Sequence, residues 1–232
     1  MRRVLFALPL LLAAFATPAG PAQASACNRL VELRSPNVAY AAFVRRHAVA
    51  YRTPGRAAFA DFGKRNTNGY PTLFSVLGRA CGWYHVRLPL RPNGVTGYVR
   101  ARDVSLATVA TRIVVDLSAR RLTLFRNGHA VRRVTVGIGS AATPTPTGSY
   151  YVNQRLVPRY KAGPWGPAAL GISAFSPTLR AWTQGGPVAI HGTSDPSSIG
   201  RAASHGCVRV RNALMLKLYA ATPAGTPVLI RR

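Results

Sequence analysis

His191, His205 and Cys207 are the residues whose types and spacing could do chemistry. They lie in two short runs, Ile190-His191-Gly192-Thr193-Ser194-Asp195 and Ser204-His205-Gly206-Cys207-Val208-Arg209-Val210, so two of the five histidines and a cysteine fall within seventeen positions. A thiol must lose its proton to attack a carbonyl, and a nearby imidazole can take that proton, which is why the two side chains recur together in acyl transfer. Gly206 allows a tight turn and a close backbone approach just before the cysteine. Exposed N–H groups in such a turn can face a developing oxyanion. Three simpler roles compete. A lone cysteine is more often a buried core residue. His191 alone could be a structural histidine. Together His191, His205, Cys207 and Asp195 could bind zinc, although His205-Gly206-Cys207 is not a common ligand spacing. The polar, glycine-flanked surroundings argue against the first two.

The elements that must position these residues are short strands. With 21 glycines and 18 prolines the chain favours turns over long helices. Strand-like runs are expected at 48–51, 72–77, 83–88 and 97–99, punctuated by Thr53-Pro54-Gly55 and Arg91-Pro92-Asn93-Gly94. A second β-rich unit opens at Thr111, with strands at 113–116 and 122–125, an Asn127-Gly128 hairpin turn and a return strand at 131–137. The loop Thr143-Pro144-Thr145-Pro146-Thr147-Gly148 precedes a strand at 150–153. One helix is expected near the end, N-capped by Asn212, with Met215, Leu218, Tyr219 and Thr222 on one face. Gly225-Thr226-Pro227 stops it before a last strand at 228–230. The expected fold class is mainly β: a small β-barrel over 27–106, a linker at 107–110, and a larger β domain over 111–232 with one or two short helices.

Composition narrows the function. Hydrophobic residues make up 48% of the 232, enough to bury a core. Against 31 Lys+Arg there are 5 Asp+Glu, a formal net charge of +26. So few acids argue against a two-carboxylate glycosidase and against a calcium site. The charge suggests a polyanionic partner without choosing among nucleic acid, lipid and wall polymer. Residues 1–26 read as a secretory signal peptide: Arg2 and Arg3, a short apolar run interrupted by Pro9, then small-residue cleavage sites at Ala22-Gln23-Ala24 and Ala24-Ser25-Ala26. That run is shorter than a membrane span requires, and no other stretch could cross a bilayer. Export permits disulfides. Of Cys27, Cys81 and Cys207, the economical pairing is Cys27–Cys81, which leaves Cys207 free. The alternatives are a Cys27 that is removed, lipidated or unpaired.

His191-Gly192-Thr193 followed sixteen positions on by Cys207, within Ser204-His205-Gly206-Cys207-Val208-Arg209, resembles the signature of YkuD-type L,D-transpeptidases. The likeness extends to Ile113-Val114-Val115-Asp116-Leu117, Leu122-Thr123-Leu124-Phe125, Val136-Gly137-Ile138-Gly139 and Thr145-Pro146-Thr147-Gly148, covering roughly 111–230. The run from Trp83 to Gly94 resembles the bacterial SH3-like modules that precede some wall enzymes. The resemblance implies an SH3-like β-barrel followed by a β-sandwich-like L,D-transpeptidase domain, exported to the cell wall or periplasm. It implies peptidoglycan stem peptides as substrate; the net charge adds anionic wall polymers as expected partners, and the signal peptide argues against nucleic acid. Cys207 would attack the carbonyl of the third stem residue and release D-alanine, and an amine of a neighbouring stem would take the thioester to give a 3→3 cross-link. His191 would move the proton and the Gly192 carbonyl would orient it. The N–H groups of Gly206 and Cys207 would form the oxyanion hole, with Ser204, His205 and Arg209 at the donor. Trp165, Phe175 and Trp182 are candidates for the cleft wall, with core packing the simpler role. No metal or cofactor is implied. The rivals are an L,D-carboxypeptidase with water as acceptor, a non-catalytic wall-binding protein, and a nucleic-acid binder supported by charge alone.

Overall fold

The computed structural model describes residues 30–33, 35–182 and 186–232. The expected signal peptide and Cys27 lie outside the described residues.

The first half is an antiparallel sheet of β1 (Val31–Glu32), β2 (Ala39–Val44), β3 (His47–Thr53), β4 (Arg56–Gly63), β5 (Leu73–Ala80), β6 (Trp83–Arg87), β7 (Thr96–Arg100) and β8 (Val104–Val109). Strand order is β4-β3-β7-β6-β5-β2-β8, with β1 on β5. Ala42, Val44 and Val104 from one end of that order share a single buried cluster with Ala48 and Ala50 from the other, around Phe74, Val76, Val86, Leu88 and Val99. The sheet is therefore curled on itself. The expected linker is corrected here. Residues 107–109 end β8, which pairs along its length with β2, Ala39 opposite Val109 and Val44 opposite Val104. Backbone N–H and C=O groups there find partners in the ladder, and Val104 and Val109 are buried at its two ends.

The second half is an eight-stranded sheet in the order β11-β10-β9-β18-β13-β14-β15-β17, beside a two-stranded parallel ribbon of β12 and β16. Its strands are β9 (Thr111–Asp116), β10 (Arg121–Arg126), β11 (His129–Thr135), β12 (Ile138–Gly139), β13 (Gly148–Leu156), β14 (Ala169–Phe175), β15 (Pro187–His191), β16 (Ala202–Ser204), β17 (Val208–Arg209) and β18 (Pro227–Arg231). In β9 Ile113 and Val115 point inward and Arg112, Val114 and Asp116 outward, the alternation of a half-buried strand. Asn127 and Gly128 turn the β10–β11 hairpin with φ of +49° and +82°, as the sequence predicts. The final strand β18 inserts between β9, to which it is parallel, and β13. Helix α1 (Asn212–Ala221) sets Met215 and Leu218 into the core with Ile113, Leu122, Tyr150, Leu170, Ile190 and Val208.

The helix start differs from expectation. Its N-cap residue is Arg211, which makes no side-chain cap bond. Asn212 is the first helical residue, and its side chain reaches elsewhere.

The two halves are packed together. β2 is buried on both faces: Ala42 and Val44 face the first core, while Ala39 and Ala41 meet Leu73, Val109 and Tyr151. The fully buried Tyr151 donates its hydroxyl hydrogen to the Leu73 carbonyl at 2.9 Å. Asn93, in the Arg91-Pro92-Asn93-Gly94 turn, donates to the Phe175 carbonyl at 2.8 Å and accepts the Phe175 N–H at 2.9 Å, replacing a strand partner at the end of β14.

Candidate active site

His191 ends β15 and Cys207 immediately precedes β17. The two strands are parallel neighbours, Ile190 opposite Val208 and His191 opposite Arg209. Ile190, Val208 and Val210 enter the hydrophobic core. Alternation along a strand then puts Ala189, His191, Cys207 and Arg209 together on the other face. The seventeen positions from His191 to Cys207 thus close into one patch because two strand ends lie side by side. Thiol and imidazole make no direct hydrogen bond in this state; catalytic bonds of this kind commonly tighten when substrate binds.

His191 is 6% exposed, and the Trp165 ring lies over it with centroids 4.8 Å apart. Its Nδ1 lies 2.5 Å from the Gly192 carbonyl oxygen. A carbonyl only accepts, so Nδ1 carries the hydrogen and Nε2 keeps its lone pair. Burial pushes the His191 pKa down to about 4, with the Arg209 charge adding to it and the Gly192 bond opposing it. The ring is therefore neutral at neutral pH and able to accept a proton at Nε2. Burial also raises the Cys207 pKa above the usual thiol range, against the pull of the Ala189 backbone and the Arg209 charge. Burial thus favours a neutral thiol and a neutral imidazole over an ion pair.

Asp195 does not serve as a third member behind the imidazole. Its carboxylate lies 3.4 Å from an Arg209 Nη atom and accepts a hydrogen bond from Ser197, both of which hold its pKa below the ordinary value. Arg209 stands on the reactive face, half-buried.

The turn before Cys207 departs from expectation. Gly206 has φ +111°, a conformation that suits glycine. Its N–H donates to Ser204 Oγ at 3.1 Å, and that hydroxyl donates to the Cys207 carbonyl at 2.6 Å. The Gly206 N–H is thus engaged within the turn and is not an oxyanion donor in this state. The Cys207 N–H has no acceptor among the described residues and remains available. Ser204 is 3% exposed and holds the turn through these two bonds. Its carbonyl accepts from Ser140 N–H at 2.9 Å and Thr143 Oγ1 at 3.0 Å, tying the turn to the loop after β12.

His205 is exposed, with the Trp182 ring 5.4 Å away. Among the described residues no three His, Cys, Asp or Glu side chains converge as metal ligands. Of the three aromatic candidates, Trp165 and Trp182 flank the histidines and are 42% and 53% exposed. Phe175 lies at the junction of the halves, where Arg91 packs 5.0 Å over its ring. Cys207 is a free thiol, while Cys81 is disulfide-bonded. Sequence reasoning missed Asn212, whose Oδ1 accepts the Thr193 N–H at 2.8 Å. An asparagine three residues past the Val208-Arg209 strand was the available signal, and it read as a helix cap.

The YkuD family, described as the L,D-transpeptidase catalytic domain, matches residues 110–230. A Bacillus subtilis protein described as an L,D-transpeptidase, YkuD, is 34% identical over 125 residues, 54% of this chain and 68% of that protein. An Escherichia coli protein described as an L,D-transpeptidase, YbiS, is 34% identical over 141 residues, 52% of this chain and 44% of its own length. A solved L,D-transpeptidase of Enterococcus faecium is 25% identical, with a TM-score of 0.41, over 52% of this chain and 49% of that one. By the family match across its second half, this chain belongs to the L,D-transpeptidase catalytic domain family, a family of cysteine-dependent acyltransferases.

Proposed function

We propose that this chain is a peptidoglycan L,D-transpeptidase in which Cys207 is the nucleophile and His191 the proton carrier. The observation that carries the reading is the neutral His191 ring, with Nδ1 held by the Gly192 carbonyl and Nε2 free on the face that bears Cys207. The Cys207 sulfur attacks the carbonyl of the third stem residue while His191 Nε2 takes the thiol proton. The tetrahedral intermediate, its oxygen facing the Cys207 N–H, collapses with cleavage of the C–N bond. His191 returns the proton to the departing D-alanine amine, leaving a thioester. The side-chain amine of a second stem attacks that thioester and gives its proton to His191. The new amide closes the 3→3 cross-link, and the thiol is reprotonated. Arg209 would meet a substrate carboxylate, and His205 with Trp182 would border the donor side.

The first half, residues 27–106, is read as an SH3-like barrel joined to the catalytic domain, 111–232. Its single curled sheet around one core supports that reading. A signal peptide over 1–26 would deliver the mature chain to the cell wall or periplasm. Among the described residues no helix is long and apolar enough to cross a membrane. Cys81 would pair with Cys27, and the net charge of +26 would hold the protein on anionic wall polymers.

The deciding experiment incubates the mature protein with defined tetrapeptide stems and reads products and protein by mass. An acyl adduct on Cys207 with loss of D-alanine, followed by a cross-linked dimer, is expected with or without a chelator. Tripeptide without dimer would assign the carboxypeptidase reaction instead. Full turnover by Cys207→Ala would overturn the nucleophile assignment.

A further inference from the structure

Resting on the reading of His191 as the proton carrier, we infer that Asn212 is a positioning residue for that imidazole, acting through the peptide that joins Gly192 to Thr193. The Gly192 C=O and the Thr193 N–H belong to one planar unit. Its oxygen accepts from His191 Nδ1 at 2.5 Å, and its N–H donates to Asn212 Oδ1 at 2.8 Å. A force that turns the N–H turns the oxygen with it, so Asn212 sets the direction from which His191 is held. The same bond draws electron density along the peptide toward the oxygen. That strengthens it as an acceptor for the ring N–H, most of all when His191 carries the extra proton in the transition state. Asparagine and peptide together do what a carboxylate or amide does when it contacts the imidazole directly.

The surroundings keep this arrangement rigid. The Gly192 N–H donates to the Ala168 carbonyl at 3.2 Å, and the His191 carbonyl accepts the Val210 N–H at 2.8 Å. The two peptides that flank Gly192 are thus held from three directions: the loop before β14, the chain after β17, and the start of α1. Helix α1 is itself anchored by Met215 and Leu218 in the core. Two glycines make the approach possible. A Cβ at Gly166, where φ is +62°, would stand 2.5 Å from Asn212 Oδ1, and one at Gly192 would overlap it. Asparagine is a poor residue for the body of a helix, and here the cap position belongs to Arg211. Its side chain therefore serves the His191 loop rather than its own helix. Asn212 is exposed as a residue, so truncating it opens no cavity.

The test compares Asn212→Ala, Asn212→Leu and Asn212→Asp in the full mature chain. Three readouts apply: kcat and KM for D-alanine release, the Cys207 adduct by mass, and the His191 tautomer from ring nitrogen chemical shifts. Alanine and leucine are expected to lower kcat by up to about 10²-fold, the scale of a small misplacement, with KM unchanged, and to admit the tautomer with hydrogen on Nε2. Aspartate keeps an acceptor oxygen and is expected to recover most of the lost kcat and the Nδ1 tautomer. Wild-type kcat and tautomer in Asn212→Ala, or an aspartate variant as impaired as alanine, would overturn the inference. If the wild type forms no adduct on Cys207, the functional reading fails. The tautomer comparison needs no turnover and still decides the role of Asn212.

Discussion

His191 and His205 share a local pattern. Each is followed by glycine, and each has a tryptophan ring beside it, Trp165 at 4.8 Å and Trp182 at 5.4 Å. Their surroundings make them different reagents. His191 ends β15, between β14 and β17, is 6% exposed, and gives its Nδ1 hydrogen to the Gly192 carbonyl. His205 sits on the outer side of a turn and is exposed. The residue type and the following glycine are the same, so burial and one backbone bond decide which ring holds a fixed tautomer.

The largest expected effect separates the two directly. His191→Ala should lower the rate of D-alanine release by roughly 10²–10⁴-fold, the usual contribution of a positioned proton carrier. His205→Ala should cost less than about tenfold, as a contact at the rim of the site. Initial rates on a tetrapeptide donor measure both. Equal losses would erase the distinction.

pH offers the next test. The folded pKa of His191 lies near 4, below its unfolded value of 6.5. Between those values the unfolded chain binds more protons, so stability rises with pH. The contribution of the neutral ring is intact above 6.5 and is lost as pH falls through about 4, on the order of 3 kcal/mol. Urea midpoints from pH 7 to 4 should show this component in the wild type and in His205→Ala, and lack it in His191→Gln. Turnover should show an acid limb in the same region.

Ser204→Ala tests the turn that carries His205. It removes the acceptor of the Gly206 N–H and the donor to the Cys207 carbonyl. A loss of about 1–3 kcal/mol in urea denaturation is expected for a buried hydroxyl with two partners. An unchanged midpoint would mean that the backbone holds the turn unaided.

The smallest effect sharpens the role of the rings. Trp165→Ala admits water to His191 and should move the acid limb upward, toward 6.5. Trp182→Ala should leave it in place. A pH–rate profile of each variant measures the difference.

Elements that present one face to water were readable from residue pattern. β9, β10 and the Asn127-Gly128 turn follow alternation and turn chemistry, and α1 follows the spacing of Met215 and Leu218. β14 and β15 were not, although β15 carries His191. Ala169–Phe175 and Pro187–His191 are buried on both faces, so polar residues do not alternate along them. Residues 107–109 of the expected linker belong to β8, whose ladder partner β2 lies far away in the sequence.

The residue types alone determined the reactive set. A cysteine, a histidine sixteen positions before it and a glycine beside each are the residue types that acyl transfer needs, once the chain brings them together. Tertiary structure decided how each group is used. The parallel pairing of β15 with β17 put thiol and imidazole on one face. Burial made both neutral. Ser204 took the Gly206 N–H, and the Asn212 side chain, from the first residue of its helix, holds the Thr193 N–H. Hydrogen-bond partners and desolvation come from atoms distant in sequence, so they exist only once the chain has folded.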